Sequence, residues 1–222
     1  MQASPRPIPW IDIFLALFGM PLIILAFEAL NGGANHTNAE LLSRELLILA
    51  FTAWFAWRVY RRDGNSLSGV GLHGRHWGRS IGIAIVLALL MLAVMFGVMS
   101  LLQAMGMPVG DGKEAARFAA IHPAVIFLMV LRAGIAEEFF YRGYLMETLY
   151  RVRPNGLVYF LFPLVLFALW HYRQGWAGIL ISFVAGAIMA VYYWRRRDLK
   201  SNMTAHFLVD FIPNIVLPLL AP

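Results

Sequence analysis

Long apolar segments dominate this sequence and decide what it can fold into. Seven of them approach the ~20 residues that a helix needs to cross a bilayer. They cover about 10–30, 46–59, 81–102, 125–149, 157–171, 176–194 and 203–220. The second reaches spanning length only if it extends back through Arg44 and Glu45. We therefore predict an all-α fold, a polytopic membrane helical bundle of about seven transmembrane helices.

The composition supports a membrane protein and argues against a soluble one. Hydrophobic residues make up 60% of the 222 residues and charged residues only 14%, whereas soluble domains carry ~25% charged residues. The net charge is +6, but the basic residues lie between apolar runs rather than along one face. We therefore expect the lipid bilayer as a partner and no nucleic acid. Cysteine is absent, which excludes thiol catalysis and disulfides.

The basic residues also predict an orientation, because cytoplasmic loops of membrane proteins are enriched in Lys and Arg. With the N-terminus in the cytoplasm, the cytoplasmic segments hold Arg6, Arg58, Arg61, Arg62, Arg75, Arg79, Arg151, Arg153, Arg195, Arg196, Arg197 and Lys200. The external loops then hold only Arg44, Lys113, Arg117 and Arg173. The prediction is N-terminus in and C-terminus out, in an integral membrane protein of the bacterial cytoplasmic membrane. The first span is expected to be an uncleaved anchor.

The chain contains no evident repeat or linker that would divide it. We expect one membrane-embedded domain over residues 1–222. Within it, residues 1–120 carry three spans without diagnostic motifs, and residues 121–222 carry a core with motifs.

Two adjacent carboxylates and an arginine interrupt the fourth apolar segment. Each ionised side chain in a bilayer costs roughly 2.5–3.5 kcal/mol, so such residues tend to be functional. On a helix, Glu138 and Arg142 are four residues apart and can form an ion pair. Glu137 points about 100° away from Glu138 and is left for chemistry. The alternative is that all three form one buried ion-pair cluster that holds helices together.

Arg132 is a further charge in the same segment. It lies five residues before Glu137, so an α-helix places the two on different faces. It could pair with Asp210 or Glu137 across helices, or bind a substrate carboxylate. A structural ion pair is the commoner role for a buried arginine.

Two histidines lie in later apolar segments. His171 follows Phe167 by one helical turn, and His206 precedes Asp210 by one turn on the same helix face. A lone histidine in an apolar segment usually makes a hydrogen bond between helices. Together with the two glutamates, however, these residues favour a common function. His73 and His76 lie among glycines and do not complete a metal site.

The polar residues thus form three motifs in chain order: Glu137-Glu138-x-x-x-Arg142, Phe167-x-x-x-His171 and His206-x-x-x-Asp210. This arrangement resembles the CAAX protease and bacteriocin-processing (CPBP, also called Abi) family of intramembrane glutamic endopeptidases. The resemblance covers about residues 125–217. The three motifs are quite specific in this order and spacing.

The resemblance implies an all-helical membrane protease that uses neither a metal nor another cofactor. Glu137 would be the general base that activates water, aided by His171, while His206 and Asp210 would stabilise the oxyanion. Glu138, Arg142 and Phe167 would be supporting residues. An ionised Asp210 repels an oxyanion, so we expect it to orient and charge His206 instead.

A depth estimate from helix rise presents a difficulty for this scheme. Glu137 should lie in the cytoplasmic half of the fourth span and His206 near the cytoplasmic end of the seventh. His171 should lie about 20 Å along the fifth span. The three side chains meet only if the fifth span is tilted, displaced or broken, or if the fourth span is long.

The leading hypothesis is an intramembrane endopeptidase that cleaves membrane-attached or membrane-adjacent peptides, of CAAX, leader or sorting-signal type. One alternative is a non-proteolytic membrane immunity or scaffold protein that keeps the polar cluster for packing. Another is a zinc-dependent membrane hydrolase with Glu137, His171 and His206 as ligands. The sequence lacks His-Glu-x-x-His, which argues against the zinc enzyme.

Overall fold

The structure is a computed structural model that describes residues 9–31, 36–74, 76–109, 112–152 and 156–220. Arg6, Arg75 and Arg153, which entered the predicted orientation, lie outside these residues. The helices are α1 (Trp10–Leu30), α2 (Asn38–Arg62), α3 (Trp77–Ala104), α4 (Gly112–Ala119), α5 (123–152), α6 (Leu157–Leu169), α7 (Gly175–Arg196) and α8 (Leu199–Leu220). Short 3₁₀ turns cover Ser68–Val70 and Tyr172–Gln174. Within the described part of the chain there is no strand, so the predicted all-helical fold is confirmed.

Four segments among the described residues are long and apolar enough to cross a membrane. They are α1, α3, Tyr172–Arg196, which contains α7, and α8. Their outward faces are apolar, as on α3, where Val86, Leu89 and Phe96 are exposed. Such faces are suited to lipid and not to water. The structure therefore supports an integral membrane protein, while the number of seven spans and the orientation of the termini stay predictions.

The second predicted span is longer in the structure because its start is set by a capping box. Thr37 Oγ1 accepts a hydrogen bond from Glu40 N at 3.2 Å, and Thr37 N donates to Glu40 Oε2 at 2.7 Å. This reciprocal pair satisfies backbone groups that a helix start leaves unpaired. The helix α2 consequently includes Arg44 and Glu45 in its first two turns.

The first two helices are joined by a buried ion pair. Asp12, near the start of α1, is almost fully buried. Its carboxylate accepts hydrogen bonds from Arg58 Nε at 2.7 Å and Arg62 Nη1 at 2.9 Å, near the end of α2. The pairing is consistent with antiparallel helices whose charged ends lie on one side of the membrane.

The helix α5 is not a regular α-helix. It is α-helical over Pro123–Arg132, π-helical over Ala133–Glu137 and Phe139–Met146, and α-helical again over Glu147–Val152. A π-helix bonds each residue to the one five positions away and is frequent at functional sites. Every residue of Phe139–Met146 is buried, so this stretch lies in the core of the protein.

Close contact between α5 and α8 depends on a glycine. A Cβ added at Gly134 would lie 2.9 Å from Met203 O and 3.1 Å from Phe207 Cβ. The first of these atoms is backbone and cannot move without the helix. Small residues that let helix backbones approach are typical of membrane helix interfaces, and this one brings the polar residues of α5 next to those of α8.

Replacing Gly134 by alanine should therefore separate the two helices. We expect Gly134→Ala to reduce the free energy of unfolding by about 1–3 kcal/mol, as overpacking does. Thermal unfolding of the detergent-solubilised protein measures the loss. Gly97→Ala on α3 is the matched control, since no atom lies within 4 Å of its added Cβ. An equal unfolding temperature for both variants would contradict the close packing at Gly134.

Candidate active site

The two adjacent glutamates of α5 have different partners. Glu138 is fully buried. Its Oε1 accepts hydrogen bonds from Arg142 Nη1 at 2.7 Å and lies 2.8 Å from His206 Nδ1. Its Oε2 accepts from Asn202 Nδ2 at 3.2 Å. The predicted Glu138–Arg142 ion pair is confirmed, and it links α5 to α8.

Arg142 is held on several sides within the protein. Besides Glu138, its Nη2 donates to Gly186 O on α7 at 3.1 Å. Its guanidinium carbon lies 4.2 Å from the centre of the Phe167 ring, a cation–π distance. A Cβ at Gly186 would be 2.9 Å from Nη2, so this glycine makes room for the guanidinium.

His206 has a carboxylate next to each ring nitrogen. Nδ1 faces Glu138, and Nε2 lies 3.5 Å from Asp210 Oδ2. Ionised carboxylates only accept hydrogen bonds, so this setting favours the doubly protonated, positively charged ring. The second contact is long, and the Asp210 side chain is 33% exposed.

The sequence suggested that Glu137 has no ion-pair partner, but in the structure it pairs with Arg132. Arg132 Nη1 donates to Glu137 Oε1 at 2.7 Å. The expectation that the two residues lie on different faces is wrong, because the helix between them is π-helical over Ala133–Glu137. In a π-turn, residues five apart are neighbours. Glu137, Glu138 and Arg142 therefore do not form one cluster.

Arg132 also binds a residue that sequence reasoning missed. Its Nε donates to Glu45 Oε2 at 2.6 Å, and Glu45 on α2 is fully buried. Arg44 donates to the other oxygen, Glu45 Oε1, from Nε at 2.9 Å and Nη2 at 2.7 Å. The length of the second apolar run was the one indication that Glu45 lies within a helix, because that run reaches spanning length only if it includes this glutamate.

A cavity of about 300 Å³ lies beside Glu137. Its walls come from α1, α2, α5, and the end of α6 with the turn that follows it. Its polar lining consists of Glu28, Arg44, Arg132, Glu137, Tyr141, His171, Tyr172, Arg173 and Gln174. Glu28 and Arg173 form an ion pair across it. Glu137 and His171 thus share one cavity.

The hydrogen bond of His171 to the backbone determines which of its ring nitrogens carries the proton in the neutral form. Its Nδ1 lies 2.8 Å from Phe167 O, and a carbonyl can only accept, so Nδ1 carries the proton. The neutral ring then has its lone pair on Nε2. No described residue forms a hydrogen bond with His171 Nε2 or with Glu137 Oε2. Two unengaged acceptors therefore belong to residues that line the same cavity.

The three residues expected to meet do not all line this cavity. His206 and Asp210 are absent from its walls. The Phe167 ring contacts both imidazoles, with ring centres 4.9 Å from His171 and 6.0 Å from His206. His206 is therefore adjacent to the site through Phe167 and Glu138, not through a shared cavity wall.

The depth difficulty is resolved by where the helices begin and end. Glu137 lies midway along α5. The number of residues from Glu137 to the end of α5 at Val152 is about the same as the number from the start of α6 to His171, so the two side chains reach a similar depth. Leu199, at the start of α8, is fully buried and its N donates to Gly71 O at 3.1 Å. Because α8 begins inside the protein, His206 reaches Glu138 although it lies only two turns along α8.

Across the described ranges, no three His, Asp or Glu side chains form a group that could hold a metal ion. The zinc alternative needed Glu137, His171 and His206 as common ligands. It therefore has no ligand set in this part of the chain.

The different surroundings of the two glutamates lead to a stability prediction. Glu138→Gln leaves Arg142 and His206 in a buried site without their common anion, and breaking a buried ion pair costs about 3–5 kcal/mol. Glu137→Gln should cost less, since Glu137 is 13% exposed and Arg132 keeps Glu45. Thermal unfolding in detergent should show the larger decrease for Glu138→Gln. The reverse order would mean that Glu138 is not the structural carboxylate.

Comparison with known protein families identifies a similar family for the second half of the chain. Residues 117–212 match the family model described as Type II CAAX prenyl endopeptidase Rce1-like. No curated protein and no solved structure matches the chain. The matched segment contains all three motifs and leaves α1, α2 and α3 outside it. Over residues 117–212 the chain is therefore similar to the Rce1-like family of CAAX prenyl endopeptidases, in agreement with the resemblance of the three motifs.

Proposed function

We propose that this protein is an intramembrane endopeptidase that hydrolyses peptide bonds with a water molecule activated by Glu137 and His171. The observation that carries the proposal is the pair of unengaged acceptors, Glu137 Oε2 and His171 Nε2, on residues that line one cavity. A water molecule has two hydrogens and can donate one to each acceptor. The similarity of residues 117–212 to a family of endopeptidases supports the same reaction.

The reaction needs no group beyond these side chains and water. Glu137 accepts a proton as the water oxygen forms a bond to the scissile carbonyl carbon, which gives a tetrahedral oxyanion. Collapse of this intermediate breaks the carbon–nitrogen bond, and the proton held by Glu137 passes to the departing amine. The neutral His171 orients the water, and Arg132 holds the Glu137 carboxylate in place during the transfer.

His206 and Asp210 are proposed to act on the oxyanion side. The doubly protonated His206 ring is a suitable donor to a developing negative charge. In the structure its Nε2 faces Asp210 at 3.5 Å. Donation to a substrate oxygen therefore requires the substrate to displace the partly exposed Asp210 carboxylate, which otherwise orients and charges the ring.

The proposed substrate is a peptide attached or adjacent to the membrane. The cavity combines the polar residues with apolar side chains of α1, among them Met20, Ile24 and Leu25. Such a lining suits a peptide that carries, or lies beside, an apolar group. CAAX-type proteins, leader peptides and sorting signals are the substrate classes that we propose.

The scaffold alternative also has an observation in its favour, because Glu137 is engaged in an ion pair with Arg132. A scaffold role predicts that substitutions in the site change stability alone. An endopeptidase predicts that they abolish cleavage in a folded protein.

Glu137→Gln distinguishes these functions. We expect this change to lower cleavage by at least about 10²–10⁴-fold, the usual contribution of a general base, while the protein stays folded. Mass spectrometry of membrane proteins from cells with either form should show uncleaved precursors only with Glu137→Gln. Glu40→Gln is the matched control, because glutamine also completes a capping box. Identical peptide patterns for wild type and Glu137→Gln would reject the endopeptidase.

The glutamic mechanism also predicts insensitivity to chelators. Incubation with EDTA or 1,10-phenanthroline should leave the cleavage rate within about twofold of the untreated enzyme, since the proposed steps use no metal ligand set. Inhibition that added zinc reverses would favour the metal-dependent hydrolase instead.

A further inference from the structure

The buried carboxylate of Glu45 is unusual for its place in the chain. It lies on α2, well before the family-matched segment 117–212, and its side chain is fully buried. A buried carboxylate is unfavourable unless it is paired and hydrogen-bonded. Each of its oxygens accepts from an arginine, Oε1 from Arg44 and Oε2 from Arg132.

The contacts of Arg132 connect Glu45 directly to Glu137. The Nε–H of Arg132 donates to Glu45 Oε2 at 2.6 Å, and Nη1 of the same guanidinium donates to Glu137 Oε1 at 2.7 Å. A guanidinium is planar, with donors in fixed directions. Once Nε is bound to Glu45, the direction of Nη1 is set. Arg44 holds Glu45 in turn through two hydrogen bonds on one oxygen.

We propose that Glu45 is a positioning residue that acts through Arg132 on Glu137. It orients the Arg132 guanidinium so that Nη1 binds Oε1 of Glu137 and leaves Oε2 available to the water. This inference rests on the proposed function, and it gives helix α2, which lies outside the family-matched segment 117–212, a part in the site.

The charges around Glu137 make the role measurable by pH dependence. Titratable and charged groups that face its cavity are Glu28 from α1, Arg44 from α2, Arg132 and Tyr141 from α5, and His171, Tyr172 and Arg173 from the turn after α6. Glu45 lies behind Arg132. Without the negative charge of Glu45, the positive charge of Arg132 is no longer partly neutralised, which favours the ionised form of Glu137. Removing the Arg132 charge leaves two carboxylates facing each other, which favours protonation.

The experiment compares Glu45→Gln and Arg132→Gln with Glu40→Gln, a control on the exposed start of α2. The probe is a quenched fluorescent peptide that copies the cleavage sequence of the precursor that accumulates with Glu137→Gln. We expect Glu45→Gln to lower kcat about 10–100-fold, as a misplaced catalytic group does, with KM within about twofold. The acid limb of the kcat profile should move to lower pH for Glu45→Gln and to higher pH for Arg132→Gln.

A residue with a purely structural role would lower the unfolding temperature without these opposite pH shifts. Wild-type kcat and an unmoved acid limb in folded Glu45→Gln would overturn the positioning role, while the loss in Glu137→Gln would still support the endopeptidase. If no precursor accumulates with Glu137→Gln, the proposed function fails and the inference fails with it.

A second variant covers the case in which Glu45→Gln does not fold. The double change Arg44→Gln with Glu45→Gln removes one charge of each sign and keeps the group neutral. It still removes the anion that orients Arg132. We expect the same loss of kcat in this variant, and full kcat in the folded double variant would overturn the proposal.

Discussion

Charge neutrality inside an apolar protein is the constraint on which this structure depends. Ionised groups are costly there unless an opposite charge and hydrogen bonds compensate them. The side chains around α5 meet this condition as two separate groups of four. The first contains Glu45, Glu137, Arg44 and Arg132, and the second contains Glu138, Asp210, Arg142 and doubly protonated His206. Adjacent glutamates belong to different groups, so each has its own surroundings.

The π-helical part of α5 separates these groups. It brings Arg132 next to Glu137 on one helix, five residues apart, while Glu138 keeps its α-helical spacing to Arg142. Sequence periodicity assumes a regular helix, so it located the Glu138–Arg142 and His206–Asp210 neighbours and failed for Arg132. The π-helical stretch of α5 packs closely against another helix, where Gly134 of α5 contacts Met203 and Phe207 of α8. Such contacts between distant residues cannot be recognised from the local sequence pattern.

The helices themselves were easier to anticipate than their depths. Each predicted apolar segment overlaps a described helix, because length and hydropathy are local properties. The start of α2 differs from the predicted start because Thr37 and Glu40 form a capping box there. The ion pair between Glu45 and Arg132 joins residues that are 87 positions apart in the sequence. No rule based on residue spacing predicts such a contact.

The shortness of α6 bears on how a hydrolytic reaction obtains water within lipid. Leu157–Leu169 is apolar yet shorter than the four candidate spans among the described residues, and at 1.5 Å per residue it is only about 20 Å long, against a hydrocarbon layer ~30 Å thick. The turn that follows carries His171, Arg173 and Gln174 next to the cavity. Either the bilayer thins at this point or the protein excludes lipid from it. In both cases, an α6 that starts at one membrane surface would bring water about a third of the way in from the other surface, to the turn that carries His171.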